Sequence, residues 1–179
     1  MYDKTIGYAL CGSFCTYTKA MAALKRLTEI FRRVIPIFSQ ASWETDSRFG
    51  TAEEHIRRAE ELCGAPALHT IAEVEPIGPK KLLDALVIAP CTGNTLAKLA
   101  HGIADGPVTM AAKSHLRNGR PLLLAVSTND GLAAAAENIG RLLARKHIYF
   151  VPFGQDDPIR KPPKCIEFPI ASSFSYAIL

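Results

Sequence analysis

Two uninterrupted apolar runs, Ala85–Pro90 and Leu122–Val126, constrain this chain more than any other feature of its sequence. Each has the length of a strand. A strand without polar alternation must be covered on both faces, which is the situation inside a parallel sheet. Parallel neighbours need a crossover between them, and the intervening sequence has helical periodicity.

The rest of the chain follows that alternation. Lys4–Leu10 reads as a first strand, with Ile6, Tyr8 and Leu10 on one face and the small Gly7 and Ala9 on the other. Tyr17–Arg33 reads as a helix whose stripe is Met21, Leu24, Leu27, Thr28 and Phe31, and Val34–Ser39 as a second strand. Thr51-Ala-Glu-Glu54 has the form of a capping box before a helix over His55–Cys63, which Gly64 and Pro66 end. A strand over Asp84–Pro90, helices over Thr95–Gly102 and Val108–Asn118, a strand over Pro121–Val126, a helix over Gly131–Lys146 and a strand over Ile148–Val151 complete the order. This predicts an α/β fold, a three-layer doubly wound parallel sheet of flavodoxin-like or Rossmann-like kind. Residues 1–153 are expected to form a single domain, and 154–179 an irregular C-terminal tail or arm, because periodicity stops at Gly154.

Composition narrows the function classes. With 179 residues, 48% hydrophobic and 21% charged, the chain can build a core of its own without a disulfide or metal staple. Its 21 basic and 17 acidic side chains are dispersed and leave only +4, so no basic stripe suits nucleic acid. No apolar run reaches the roughly 18 residues of a membrane span. Ile6–Cys11 is too short for a signal peptide and follows an acidic residue. The five cysteines are scattered and form no C-x-x-C pair, which predicts reduced thiols, no metal site and a cytoplasmic setting.

Ligands of doubly wound sheets bind at the carboxyl ends of the strands, so four loops matter. The first, Gly12-Ser-Phe-Cys-Thr16, joins a strand to a helix N-terminus, where unpaired N–H groups favour a phosphate. Gly12 permits close approach, and Ser13, Cys15 and Thr16 can line the site. This is neither a G-x-G-x-x-G loop nor a P-loop, and Phe38-Ser39-Gln40 lacks the acidic residue that would hold a ribose. A mononucleotide is therefore expected rather than a nicotinamide dinucleotide, with Ser39 in the second loop. The third loop, Pro90-Cys-Thr-Gly-Asn-Thr95, offers Thr92, Asn94 and Thr95, and the amide of Asn94 can both donate to and accept from a heteroaromatic edge. Asn94 or Thr95 also reads as the cap of the following helix. Ser127 and Asn129 belong to the fourth loop. Arg48, in the polar loop after the second strand, could pair with a substrate carboxylate, and Lys98 and Lys113 are further candidates.

Pro90-Cys-Thr-Gly-Asn-Thr95 resembles the Pro-Ala-Ser-Ala-Asn-Thr motif of the homo-oligomeric flavin-containing cysteine decarboxylase superfamily, and Gly12-Ser13 resembles its phosphate loop. The resemblance implies a flavodoxin-like fold, FMN bound by the first, third and fourth loops, and a homo-oligomer. It is strongest toward one branch, whose features recur at Tyr8–Thr16, Trp43–Gly50, Ile88–Thr109, Asn129–Leu143 and Val151–Lys161. That branch implies oxidation of a lysine-pathway heterocycle to pyridine-2,6-dicarboxylate in spore-forming bacteria, with NAD(P) carried by a companion A subunit. The chain departs from the decarboxylases: Thr128 stands where they have Met, and Cys165 is followed by Ile-Glu where they have a Cys-Gly-Asp clamp. Cysteinyl decarboxylation and a non-catalytic stabilising role are the alternatives. No catalytic residue is assigned, since His55 and His101 read as helix-surface positions. Ala171–Leu179 matches nothing in the branch.

Overall fold

The computed structural model describes residues 1–157, 159–161 and 165–168. Strands β1 (Tyr2–Leu10), β2 (Phe31–Phe38), β3 (Ala85–Cys91), β4 (Leu122–Thr128) and β5 (Ile148–Phe150) run parallel in the order β2-β1-β3-β4-β5. Every residue of β3 is buried, as is β4 from Leu122 to Ser127, as their unbroken apolar sequences require. Ile6, Tyr8 and Leu10 face a core shared with α1 (Tyr17–Ile30) and α3 (Ala52–Cys63), where Met21, Leu24, Phe38 and Val87 pack. Ala9 faces a second core with Leu86, Ile88 and Leu124. Helices α5 (Gly93–His101), α6 (Pro107–Leu116) and α7 (Ala134–Leu143) cover that side through Leu96, Ala111 and Ile139. Short helices α2 (Gln40–Glu44) and α4 (Ile71–Val74) lie between β2 and β3. The result is the predicted flavodoxin-like sheet, helices on both faces. Its strand order reverses between β1 and β3, which sets the ligand position above their carboxyl ends.

The differences from expectation have local causes. Helix α1 ends at Ile30, not Arg33, because Phe31 is already extended (φ −103°, ψ 148°) and sits opposite Tyr2 in the ladder. The Tyr2 and Phe31 rings lie 5.9 Å apart, and Arg32 donates to Asp3 at 2.7 Å. Long-range pairing thus extends both strands into what local periodicity assigns to the helix. Helix α7 begins only at Ala134, because Ala133 leaves helical geometry (φ −131°, ψ −121°) after the turn at Gly131. The capping box of α3 is complete, and its Gly64 is left-handed at φ 58°.

Beyond Gly154, where an irregular tail is expected, two short strands form. β6 (Gly154–Gln155) pairs with β7 (Ile166–Glu167), and β7 runs antiparallel to the end of β4, with Ser127 opposite Glu167 and Thr128 opposite Ile166. Cys165, Ile166 and Phe168 are buried, and Lys19 of α1 forms an ion pair with Glu167. This segment is a strap on the body of the fold. The expectation for Ala171–Leu179 lies outside the described residues. Among the described residues no helix is long and apolar enough to cross a membrane.

His115 on α6 is fully buried; its Nε2 lies 3.0 Å from the Pro121 carbonyl, and its Nδ1 has no partner among the described residues. Burial holds the imidazole below its ordinary pKa of 6.5; Arg120 also lowers it, while the Pro121 hydrogen bond and Asp84 pull the other way. His55 is lowered too, mainly by burial. A folded-state pKa below the unfolded one means that the unfolded chain takes the proton first as pH falls. The stabilisation is therefore complete above the unfolded value and is lost on acidification, with a slope of up to about 1.4 kcal/mol per pH unit for one group. Denaturant midpoints should fall between about pH 7.5 and about pH 5.5, and His115→Gln should flatten that dependence. An unchanged slope in the variant would clear His115 as its source.

Candidate functional site

Two cavities open above the reversal point. The first, about 720 Å³, is lined by the first, third and fourth loops, by the turn Ser47–Phe49 after α2, and by Asp156, Lys161, Cys165 and Ile166 of the strap. The second, about 560 Å³, lies over Cys11, Ser39, Gln40, Lys98 and the stretch Asp105–Thr109. They meet at Gly12, Thr92 and Asn94, which line both. Volumes of this order hold a small ligand, within the roughly 300–1,000 Å³ usual for such sites.

The loops are braced from within. Thr16 is buried and its hydroxyl donates to the Ser13 carbonyl at 2.8 Å, so it shapes the first loop and lines neither cavity. The Ser13 and Ser127 hydroxyls are 2.8 Å apart, joining the first loop to the fourth. Cys15 is exposed in the first cavity. Ser39 caps α2, its Oγ accepting from the Ser42 N–H at 3.2 Å, and lines the second cavity. Pro90 is buried at the end of β3, its carbonyl accepting from the Cys11 N–H at 3.3 Å.

Thr92, rather than Asn94 or Thr95, caps α5: its Oγ1 accepts from the Thr95 N–H at 3.2 Å. The cap requires an extended residue one step before the helix (φ −79°, ψ 160°), and Thr92 adopts that geometry. Asn94 is thereby released from capping. Its side-chain amide makes no hydrogen bond among the described residues and lies where the cavities join. The Thr95 hydroxyl donates to Cys11 Sγ at 3.3 Å. Burial pushes the Cys11 thiol up to about 11 and that of Cys91 well above its ordinary value, so neither is a nucleophile at neutral pH. Cys91 lines neither cavity; it belongs to the core.

The three cations singled out in the sequence separate. Arg48 lines the first cavity with its guanidinium 4.9 Å from the centre of the Phe49 ring. Lys98 lines the second, but both Asp105 carboxylate oxygens accept from its ammonium at 2.9 Å, and this pairing holds the Asp105 carboxyl below its usual range. Lys113 stands on the exposed side of α6 and lines neither cavity: the neighbouring Ala111, Ala112 and Ser114 take the buried face. Asn129 lines the first cavity, and its carbonyl lies 3.7 Å from Cys165 Sγ.

On the wall of the first cavity, the polar residues Ser47, Thr128, Asp130, Asp156 and Lys161 escaped sequence reasoning. Asp130 follows Asn129 at a strand's carboxyl end, and that position was signal enough. Its Oδ1 accepts from the Thr128 hydroxyl at 2.5 Å. Asp156 and Lys161 reach the site only through the strap, which no periodicity announces; they form an ion pair with each other.

These features have counterparts in known proteins. The chain is 45% identical over 159 residues to the B subunit of dipicolinate synthase from Bacillus subtilis (strain 168), covering 89% of this chain and 80% of that protein. The crystal structure of the B subunit of dipicolinate synthase from Bacillus halodurans C superposes with a TM-score of 0.86 at 40% identity, over 98% of this chain and 89% of that one. A dodecameric FMN-dependent Ubix-like decarboxylase from Escherichia coli O157:H7, at 23% identity, shares the fold, with a TM-score of 0.66 over 83% of this chain and 78% of its own. The Flavoprotein family matches residues 1–161, from the first strand through the turn that carries Lys161. With that match spanning the five parallel strands and all four loops, the chain belongs to the Flavoprotein family.

Proposed function

We propose that the chain is the B subunit of a dipicolinate synthase, acting on a dihydrodipicolinate-type precursor to give pyridine-2,6-dicarboxylate. It would do so beside an A subunit that carries NAD(P), in the mother-cell cytoplasm of a spore former, and as a homo-oligomer. The observation that carries this reading is the unengaged Asn94 amide at the junction of two ligand-sized cavities, with Arg48 on the wall of one of them. An amide suits the edge of a heteroaromatic ring, and a guanidinium suits a carboxylate.

The same residues fit FMN. Gly93 and Asn94 at the start of α5 leave N–H groups without partners among the described residues, and the Ser13 and Ser39 hydroxyls lie on the walls. Those groups suit a phosphate monoester, and Asn94 suits the flavin ring edge. When bound, the flavin supplies an acceptor for a hydride. Aromatising a dihydropyridine removes one hydride and one proton from the ring. In the first cavity, Asp156 is neutralised by Lys161, which leaves Asp130 among the described residues as the carboxylate to receive the proton, its orientation held by Thr128.

Titration of the purified chain with FMN, followed by absorbance or by flavin fluorescence, tests the cofactor assignment. Saturable binding is expected, weakened about tenfold or more by Asn94→Ala, the loss of one or two hydrogen bonds. Absence of saturation at high FMN defeats the flavin part of the reading. A mixture with the A subunit tests the rest: an Asn94→Ala chain that still forms the complex and retains full turnover would mean that this chain only stabilises its companion. Release of carbon dioxide from a cysteinyl peptide would instead favour a decarboxylase.

A further inference from the structure

We propose that Lys161, delivered by the C-terminal strap, is the second carboxylate-binding cation of the site, and that with Arg48 it makes the first cavity selective for dicarboxylates over monocarboxylates. This rests on the reading above. A pyridine-2,6-dicarboxylate carries two negative charges, and enclosing both against one guanidinium would leave a carboxylate uncompensated. Among the described residues, the charged side chains that line the first cavity are Arg48, Asp130, Asp156 and Lys161. Lys98 lines the other cavity and not this one, and Lys113 lines neither. Among the described residues, Lys161 is therefore the second cation on that wall.

The topology brings the two cations in from opposite sides. Arg48 comes from the turn that follows β2, at one edge of the strand order, and Lys161 from the segment between β6 and β7, beyond β4. The Lys161 N–H donates to the Asp157 carbonyl at 2.9 Å, and the Asp156 N–H donates to the Cys165 carbonyl at 2.9 Å. Asp156 pairs with the ammonium. The Lys161 side chain stays 44% exposed while that of Asp156 is only 15% exposed. An ammonium has three N–H donors, so donors remain for an incoming carboxylate after Asp156 has taken its share. Asp156 thus does two things. It holds Lys161 at the wall and protonated, and it competes with the ligand for it.

Those two roles give variants of opposite sign. Isothermal titration of the purified chain with pyridine-2,6-dicarboxylate and with pyridine-2-carboxylate measures them. Lys161→Gln should weaken the dicarboxylate at least tenfold and the monocarboxylate much less. Asp156→Asn should tighten the dicarboxylate several-fold, since the competing charge is gone and a hydrogen-bond acceptor remains. Lys113→Gln, on the exposed side of α6, should match the unaltered chain. Wild-type binding that Lys161→Gln leaves unchanged, or weakens equally for both ligands, overturns the selectivity role while the dicarboxylate reading stands. No saturable binding of the dicarboxylate to the unaltered chain overturns both. Loss of FMN binding together with dicarboxylate binding in Lys161→Gln would mark a general disturbance of the cavity and also overturns the assignment.

Discussion

Replacing Gly131 with alanine should cost about 1–3 kcal/mol of stability, the usual penalty for forcing a methyl group into a filled site, and should loosen the C-terminal strap. A Cβ at this position would stand 2.9 Å from Cγ2 of Ile166 and closer still to its Cγ1 and Cδ1. Ile166 is 2% exposed, so its side chain has nowhere to turn. Gly131 does not occupy the left-handed backbone region that favours glycine, which leaves the close approach itself as the reason for a glycine here. Its contact is long-range, between the fourth loop and β7, and its loss should show first in the strap. Denaturant unfolding should give the stability change, and limited proteolysis should cut the variant after Gly154 sooner than the unaltered chain. Ile166→Ala alone should also destabilise, by about 2–5 kcal/mol through the space it leaves. In the double variant the two defects meet, one methyl entering and three carbons leaving, so the combined loss should fall short of the sum by at least about 0.5 kcal/mol. Strict additivity would show that the contact between Gly131 and Ile166 does not hold the strap.

The reach of sequence reasoning in this chain is set by how far apart the interacting residues lie. β3 and β4 were legible because a buried parallel strand has no polar alternation, and Ala85–Cys91 and Leu122–Ser127 are buried throughout. The cap of α3 was legible because Thr51 and Glu54 satisfy one another within one turn. In the third loop the cap fell to Thr92 and not to Asn94 or Thr95, since only Thr92 stands extended one step before the helix. What stayed hidden depends on partners distant in the chain. Phe31 looks helical until Tyr2 pairs with it. Lys98 looks like a free cation until Asp105, on the next turn of chain, folds back onto it. Lys161 and Asp156 look like an irregular tail, since two-residue strands have no period to read and only Ser127 and Thr128 of β4 give them a place. The walls of the first cavity were thus legible where the sheet builds them and hidden where the strap adds Asp156 and Lys161.

Gly93→Ala should abolish function at the junction of the cavities without harming the helix that carries it. Alanine is favoured over glycine inside a helix by about 1 kcal/mol, so α5 itself has nothing to lose from the change. The obstacle is the fourth loop. A Cβ on Gly93 would stand 2.7 Å from Thr128 Oγ1 and 2.9 Å from Asp130 Oδ1, the pair whose 2.5 Å hydrogen bond orients the Asp130 carboxylate. Thr128 cannot withdraw freely, since its backbone is paired with Ile166 in the antiparallel ladder. Either the hydrogen bond breaks and the carboxylate swings, or the third and fourth loops part and the cavity walls shift. In both cases the thermal midpoint should change little, while FMN and dicarboxylate affinities fall at least tenfold, about 1.4 kcal/mol. On the proposed reaction, turnover with the A subunit should fall further than either affinity, because a misdirected Asp130 would no longer meet the ring proton. Asp130→Asn separates the two causes. It keeps the walls and the Thr128 contact but removes the proton acceptor, so binding should survive and turnover should be lost. If Asp130→Asn turns over normally while Gly93→Ala does not, the walls and not the carboxylate carry the function of this junction.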